Sequence, residues 1–123
     1  MKKILVVDDS PTMRRMVIAS LGGLIEVGFE EASTGLEAIE QLAMGPIDLM
    51  ILDLNMPDMH GIEVLQFMRK SKSHRHIPVI VLTTRIDDFS KAATLAAGAT
   101  LYMMKSFEPR ELAANALKLL KAE

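Results

Sequence analysis

Five polar side chains in this sequence stand where they could do chemistry together. Asp8 and Asp9 follow the apolar run Ile4-Leu5-Val6-Val7, and Asp53 follows Leu49-Met50-Ile51-Leu52. Thr83 follows Val79-Ile80-Val81-Leu82, and Lys105 follows Leu101-Tyr102-Met103-Met104. Short unbroken apolar runs read as strands buried on both faces. In a parallel sheet the carboxyl ends of such strands share one edge, beside the crevice where open α/β sheets bind ligands. Three carboxylates gathered there repel one another unless a cation lies among them, and oxygen-only ligands suit a hard divalent ion, so the pattern predicts a Mg²⁺ site. Magnesium usually keeps waters and a phosphate oxygen in its shell, which leaves Lys105 and the Thr83 hydroxyl to hold the remaining oxygens of a phosphoryl group. A carboxylate oxygen is also a nucleophile and would give an aspartyl phosphate. Spacing alone does not say which aspartate is attacked. Asp8-Asp9-Ser10-Pro11-Thr12 occupies the first strand-to-helix turn, where a nucleotide fold would have glycines, so phosphate must come from another donor.

These residues need a frame of strands and helices in alternation. Helical spacing joins Met13, Val17, Leu21 and Leu24, then Leu36, Ile39 and Leu42, then Ile62, Leu65 and Met68, and last Leu112, Ala116 and Leu119. A fourth helix is expected over about 89–97, stopped by Gly98. A fifth strand is needed near 29–32, where Gly28 precedes and Ser33-Thr34-Gly35 follows, although its glutamates make it the least apolar of the set. Ser10-Pro11 supplies a cap and a first-turn proline, and Thr34 with Glu37 forms a capping box. Strand alternating with helix implies a parallel α/β sheet.

Composition narrows the alternatives. The 123 residues suit one domain, 1–123, and half of them are hydrophobic, enough to fill a core. Lys and Arg number 14 against 16 Asp and Glu, a net charge of -2, so there is no basic field for nucleic acid or anionic lipid. The absence of cysteine excludes disulfides, thiolate zinc sites and cysteine nucleophiles. The apolar run after Met1 is too short for a signal peptide, and no run approaches the ~18 residues of a membrane span. A cytoplasmic protein is expected.

Asp8-Asp9, Asp53 followed by Asn55-Met56-Pro57 and Gly61, then Thr83, Tyr102 and Lys105 together resemble the receiver domain of two-component response regulators. The resemblance covers essentially the whole chain, and residues 8–15 look most like the single-domain chemotaxis, or CheY-like, receivers. It implies a five-stranded parallel sheet in the order 2-1-3-4-5 with five flanking helices. That is the flavodoxin-like doubly wound fold, of which a chemotaxis receiver is itself a standard illustration. It further implies that Asp53 is the phosphoacceptor, that Asp8 and Asp9 position Mg²⁺, and that the backbone carbonyl of Asn55 completes the protein ligands. Lys105 would neutralise phosphoryl charge, Thr83 would swing its hydroxyl to the phosphoryl group, and Tyr102 would turn inward. The surface of the fourth helix, fifth strand and fifth helix would then change shape, with Lys91, Leu95, Tyr102 and Met104 on the output face. Implied partners are a sensor histidine kinase or phosphotransfer protein and a downstream protein target or phosphatase. No nucleic acid or membrane is implied, and the chain would be a monomer or a phosphorylation-dependent dimer. It would be a switch that catalyses its own phosphorylation and dephosphorylation without being a dedicated enzyme.

Each residue also has a plainer reading. An aspartate after a strand is usually a cap, a lone lysine a solvated charge, a strand-end threonine a partner of backbone, and a strand tyrosine a packing residue. Their joint placement favours the chemical reading. Of the ten methionines, Met50, Met68 and Met103 fall at expected core positions. His74, Arg75 and His76 precede Pro78 in what reads as a surface loop, and Arg14 and Arg15 read as solvated charges on the outer side of the first helix. Three features depart from the family pattern. Ser106 replaces the usual cis-proline after the lysine, which predicts either a trans bond with a rearranged loop or a strained cis bond. Thr84 and Arg85 add bulk at the pocket rim, and Lys91 and Asp88 differ from a flagellar-motor-binding face. A haloacid-dehalogenase-like phosphohydrolase would need a second acid where Ser10 stands, and the intact polar set argues against a degenerate docking module.

Overall fold

The computed structural model describes residues 1–84 and 87–121. Strands β1 (Lys2–Val7), β2 (Val27–Ala32), β3 (Leu49–Asp53), β4 (Val79–Thr83) and β5 (Leu101–Met104) alternate with helices α1 (Pro11–Leu21), α2 (Gly35–Met44), α3 (Gly61–Lys70), α4 (Asp88–Ala96) and α5 (Pro109–Lys121). All strand pairs are parallel, as the alternation implied, and the order is β2-β1-β3-β4-β5, the doubly wound α/β fold implied by the resemblance to receiver domains.

Alternate side chains of the strands feed two cores. Leu5, Val7, Met50, Leu52, Val79 and Val81 pack with Ala38 and Leu42 of α2 and Val64, Leu65 and Met68 of α3. Ile4, Val6, Leu49, Ile51, Ile80 and Leu82 pack on the opposite face with Val17 and Leu21 of α1 and Leu112, Ala116 and Leu120 of α5. Each fully buried aliphatic side chain contributes roughly 1.5–3 kcal/mol, so packing stabilises the sheet in a chain that has no cysteine.

Several expectations shift once the sheet is assembled. Strands β3 and β4 are buried throughout, whereas Leu101–Met104 is only half-buried, Met103 included, because β5 is an edge strand covered on fewer sides. At the other edge β2 begins at Val27, so Gly28 lies inside it, and its glutamates are tolerated because edge positions reach solvent, where Glu30 pairs with Lys3. Leu24 falls beyond α1, Leu36 is exposed on α2, and α5 buries Leu120 in place of the half-buried Leu119. Met50 and Met68 are core residues. His74 bridges Ser71 Oγ (3.0 Å) and the Leu42 carbonyl (3.0 Å), which makes it a pin between two helix ends within the loop.

Two glycines mark close approaches. A Cβ on Gly61 would lie 2.7 Å from the Asp53 carbonyl oxygen and 2.8 Å from Leu54 Cα, so glycine lets α3 start tight against the end of β3. Gly98, at φ 118°, ends α4, and its carbonyl accepts from Arg69 Nε (2.9 Å) and Nη2 (2.7 Å).

Candidate functional site

The register brings the polar set to one edge. Val7 lies opposite Ala32 and Leu52, Asp53 opposite Leu82, and Thr83 opposite Met104, so the residues that end these strands come level. Local caps fix the loops that follow. Ser10 Oγ accepts from Met13 N–H (3.2 Å) with Pro11 at the start of α1. Thr34 Oγ1 accepts from Glu37 N–H (3.0 Å), while the Glu37 carboxylate turns to Ser33 N–H (3.0 Å), one residue before the reciprocal partner a capping box would use.

Asp8 is buried and held from three sides. Its N–H donates to the Ala32 carbonyl (3.0 Å), its Oδ1 accepts from Ser10 N–H (2.9 Å), and its Oδ2 lies 3.2 Å from Lys105 Nζ. Asp53 is 1% exposed, and its Oδ1 accepts from Asn55 N–H (3.1 Å) and sits 3.1 Å from Lys105 Nζ. Asp9 is exposed, yet a carboxylate oxygen from each of Asp8, Asp9 and Asp53 lies within 4.8 Å of the others. Thr83 is fully buried, and its carbonyl accepts from Lys105 N–H (2.8 Å). The peptide bond between Lys105 and Ser106 is trans, with the Lys105 ammonium still between the two buried carboxylates.

The electrostatics follow from this packing. Burial pushes the Asp53 carboxyl above its ordinary pKa; the Asn55 N–H works against that, the Asp8 charge adds to it, and Lys105 partly offsets it. Burial also works against the Lys105 ammonium, but Asp53 and Asp8 outweigh it and raise its pKa. Three carboxylates against one ammonium leave an excess of negative charge. Among the described residues Asp53 Oδ2 is buried without a hydrogen-bond partner, a position that normally costs free energy. The three converging carboxylates form an oxygen-only donor set with an excess of negative charge, which fits a hard divalent cation.

Beside the cluster, Asn55, Thr83, Phe89 and Tyr102 are among the residues lining a cavity of about 140 Å³. Lys91 and Leu95 are exposed on α4, and Tyr102 and Met104 are half-buried on the adjacent β5. Arg85 lies outside the described residues. Two contributors were not anticipated. Arg14 is not a solvated charge: its Nη1 donates to the main-chain oxygen of Asp8 and its Nε to Glu31 Oε1 (2.8 Å), leaving its side chain 15% exposed. Asp58 accepts from the N–H groups of Gly35 (3.0 Å) and Leu36 (3.1 Å), capping α2 from a distant loop. The sequence carries no local signal for either, since each depends on a partner in another element.

The family model of the response regulator receiver domain matches residues 4–117. The chain belongs to that family. Among curated relatives, the chemotaxis protein CheY1 of Helicobacter pylori (strain ATCC 700392 / 26695) is 38% identical over 111 residues, covering 89% of this receiver and 90% of the relative. A structure of the chemotaxis response regulator CheY4 of Vibrio cholerae superposes with a TM-score of 0.88 at 33% identity, covering 97% of the receiver and 98% of that chain. The Mn²⁺-bound form of response regulator Rcp1 superposes with a TM-score of 0.80 at 28% identity, over 99% and 91% of the two chains. The receiver is thus a signalling domain of the CheY-like kind, and its acidic cluster lies where a strand-end metal site was expected.

Proposed function

We propose that this receiver, residues 1–123 acting as one unit, accepts a phosphoryl group on Asp53 from the phosphohistidine of a sensor histidine kinase or phosphotransfer protein. The bare Oδ2 of Asp53 carries this reading, because Oδ1 is already engaged by Asn55 and Lys105 while Oδ2 keeps its lone pairs. Oδ2 attacks phosphorus, the phosphorus–nitrogen bond breaks, and the imidazole leaves with its electron pair. Lys105, held 3.1 Å from Asp53, stays close enough to neutralise charge on the phosphoryl oxygens. The Thr83 hydroxyl turns to a phosphoryl oxygen, and Tyr102 moves into the space vacated beside it.

Asp8, Asp9, Asp53 and the main-chain carbonyl of Asn55 would hold Mg²⁺, which when bound supplies Lewis-acid charge neutralisation to the phosphoryl group. The Mn²⁺-bound state of a relative supports a divalent ion of this size. Water later hydrolyses the aspartyl phosphate, so the receiver resets itself. The added group carries about -1.5 to -2 charges, by analogy with other phosphoresidues, and a differential of a few kcal/mol between conformations suffices to shift their populations. The output surface is the α4, β5 and α5 face with Lys91, Leu95, Tyr102 and Met104, read by a protein target or phosphatase and not by nucleic acid. The receiver acts in the cytoplasm as a monomer or a phosphorylation-dependent dimer; among the described residues no helix is long and apolar enough to cross a membrane.

Incubation with acetyl phosphate and Mg²⁺, followed by intact-mass and peptide mass spectrometry, tests the reading. One labile phosphoryl group on the peptide containing Asp53 is expected, lost in Asp53→Asn and on chelation. An unlabelled Asp53 peptide under conditions that label a known receiver would overturn it.

A further inference from the structure

We infer, resting on the metal reading just given, that Arg14 is a positioning residue whose guanidinium, anchored by Glu31, fixes the peptide joining Asp8 to Asp9 and thereby sets the divalent-cation affinity of the acidic edge. Asp8 has its N–H on the Ala32 carbonyl, its Oδ1 on Ser10 N–H and its Oδ2 beside Lys105. Its main-chain carbonyl is the fourth handle, and Arg14 Nη1 holds it. That carbonyl belongs to the peptide plane leading into Asp9, whose exposed side chain completes the cluster. The opposite side of the guanidinium is bonded through Nε to Glu31 on β2, the strand that also supplies Ala32. One planar group thus spans from the edge strand to the acidic loop.

The pair itself contributes little stability, since Glu31 is 50% exposed and solvent screens an exposed ion pair. Where it acts is the geometry of the loop. Arginine suits the task because its rigid fork serves two acceptors at fixed separation, which a lysine ammonium on a flexible stem does not. The sign of the effect separates positioning from charge: a cation beside three carboxylates by itself repels a metal ion, so its removal would tighten binding, whereas loss of a positioning contact loosens it.

The test is a Mn²⁺ titration followed by water-proton relaxation, with Mg²⁺ as competitor, on the unmodified chain, Arg14→Gln, Arg14→Lys and Glu31→Ala, each checked by its urea midpoint. Expected are about tenfold weaker Mn²⁺ binding in Arg14→Gln, a loss in Arg14→Lys despite the retained charge, and a smaller loss in Glu31→Ala. Adding Glu31→Ala to Arg14→Gln should cost no further affinity. Tighter binding in Arg14→Gln, or lowered urea midpoints with unchanged Mn²⁺ affinity, overturns the inference while leaving the metal site standing. Absence of saturable Mn²⁺ binding in the unmodified chain overturns both together.

Discussion

Asp53 lies among apolar strands with one carboxylate oxygen bonded and the other bare, and burial raises its pKa from 3.8. A raised folded-state value means that this group favours the fold below the unfolded pKa and loses that contribution as pH climbs through the folded one. At neutral pH the ionised carboxylate therefore works against the metal-free fold. Asp53→Asn keeps an oxygen for Asn55 and Lys105 while removing the charge, and is expected to stabilise the metal-free chain by roughly 1 kcal/mol. Urea denaturation at neutral pH without metal checks this, with the advantage shrinking toward acid as the wild-type carboxyl protonates; an unchanged or lower midpoint would contradict it. Asp53 was legible from its place after an apolar run, but its bare oxygen was not, because that depends on what the other strands bring. Arg14 misled for a related reason. Its helical position says solvent, and only Glu31, on another strand, explains why it turns back toward Asp8.

Among the elements, α2 depends on a residue far from it in sequence. Asp58, in the loop between β3 and α3, is held below its ordinary pKa by the N–H groups of Gly35 and Leu36. A depressed carboxyl stabilises the fold above its unfolded pKa, and the contribution disappears as pH falls through the lower folded value. Asp58→Ala is therefore expected to speed amide exchange at Gly35 and Leu36 near neutrality. Its urea midpoint should converge on that of wild type as the pH drops below 3.8; a difference that persists with the carboxyl protonated would assign the effect to something else. Elements themselves were readable in proportion to burial. The unbroken runs of β1, β3 and β4 announced central strands. Edge strand β2 carries glutamates that a buried strand would not, and β5 reads as apolar yet is only half covered. Periodicity reports composition, and exposure at an edge is settled by which neighbour is missing.

For the molecule as a whole, the sheet separates two cores and gathers an excess of negative charge at one edge. A ligand that binds only the folded state adds RT ln(1 + [L]/Kd), about 2.7 kcal/mol at a hundredfold excess over Kd. For a chain of this length that corresponds to a rise in melting temperature on the order of 10 °C. Saturating Mg²⁺ is expected to produce such a rise in differential scanning calorimetry, EDTA to abolish it, and Asp53→Asn to blunt it; identical melting curves with and without Mg²⁺ would refute the prediction. The parallel sheet was legible because strands alternate with helices, whereas the strand order was legible only through the resemblance to receiver domains. The far end of α4 has a mechanical consequence. Gly98 is gripped by Arg69 from α3, and Thr100 N–H reaches the Val79 carbonyl (2.8 Å), so that junction is riveted to the base of the sheet. A rod riveted at its base can tilt but cannot slide, so under the proposed switching a push arriving near Thr83 would displace Phe89 and Ser90 most and fade toward Ala97, writing the message as an angle.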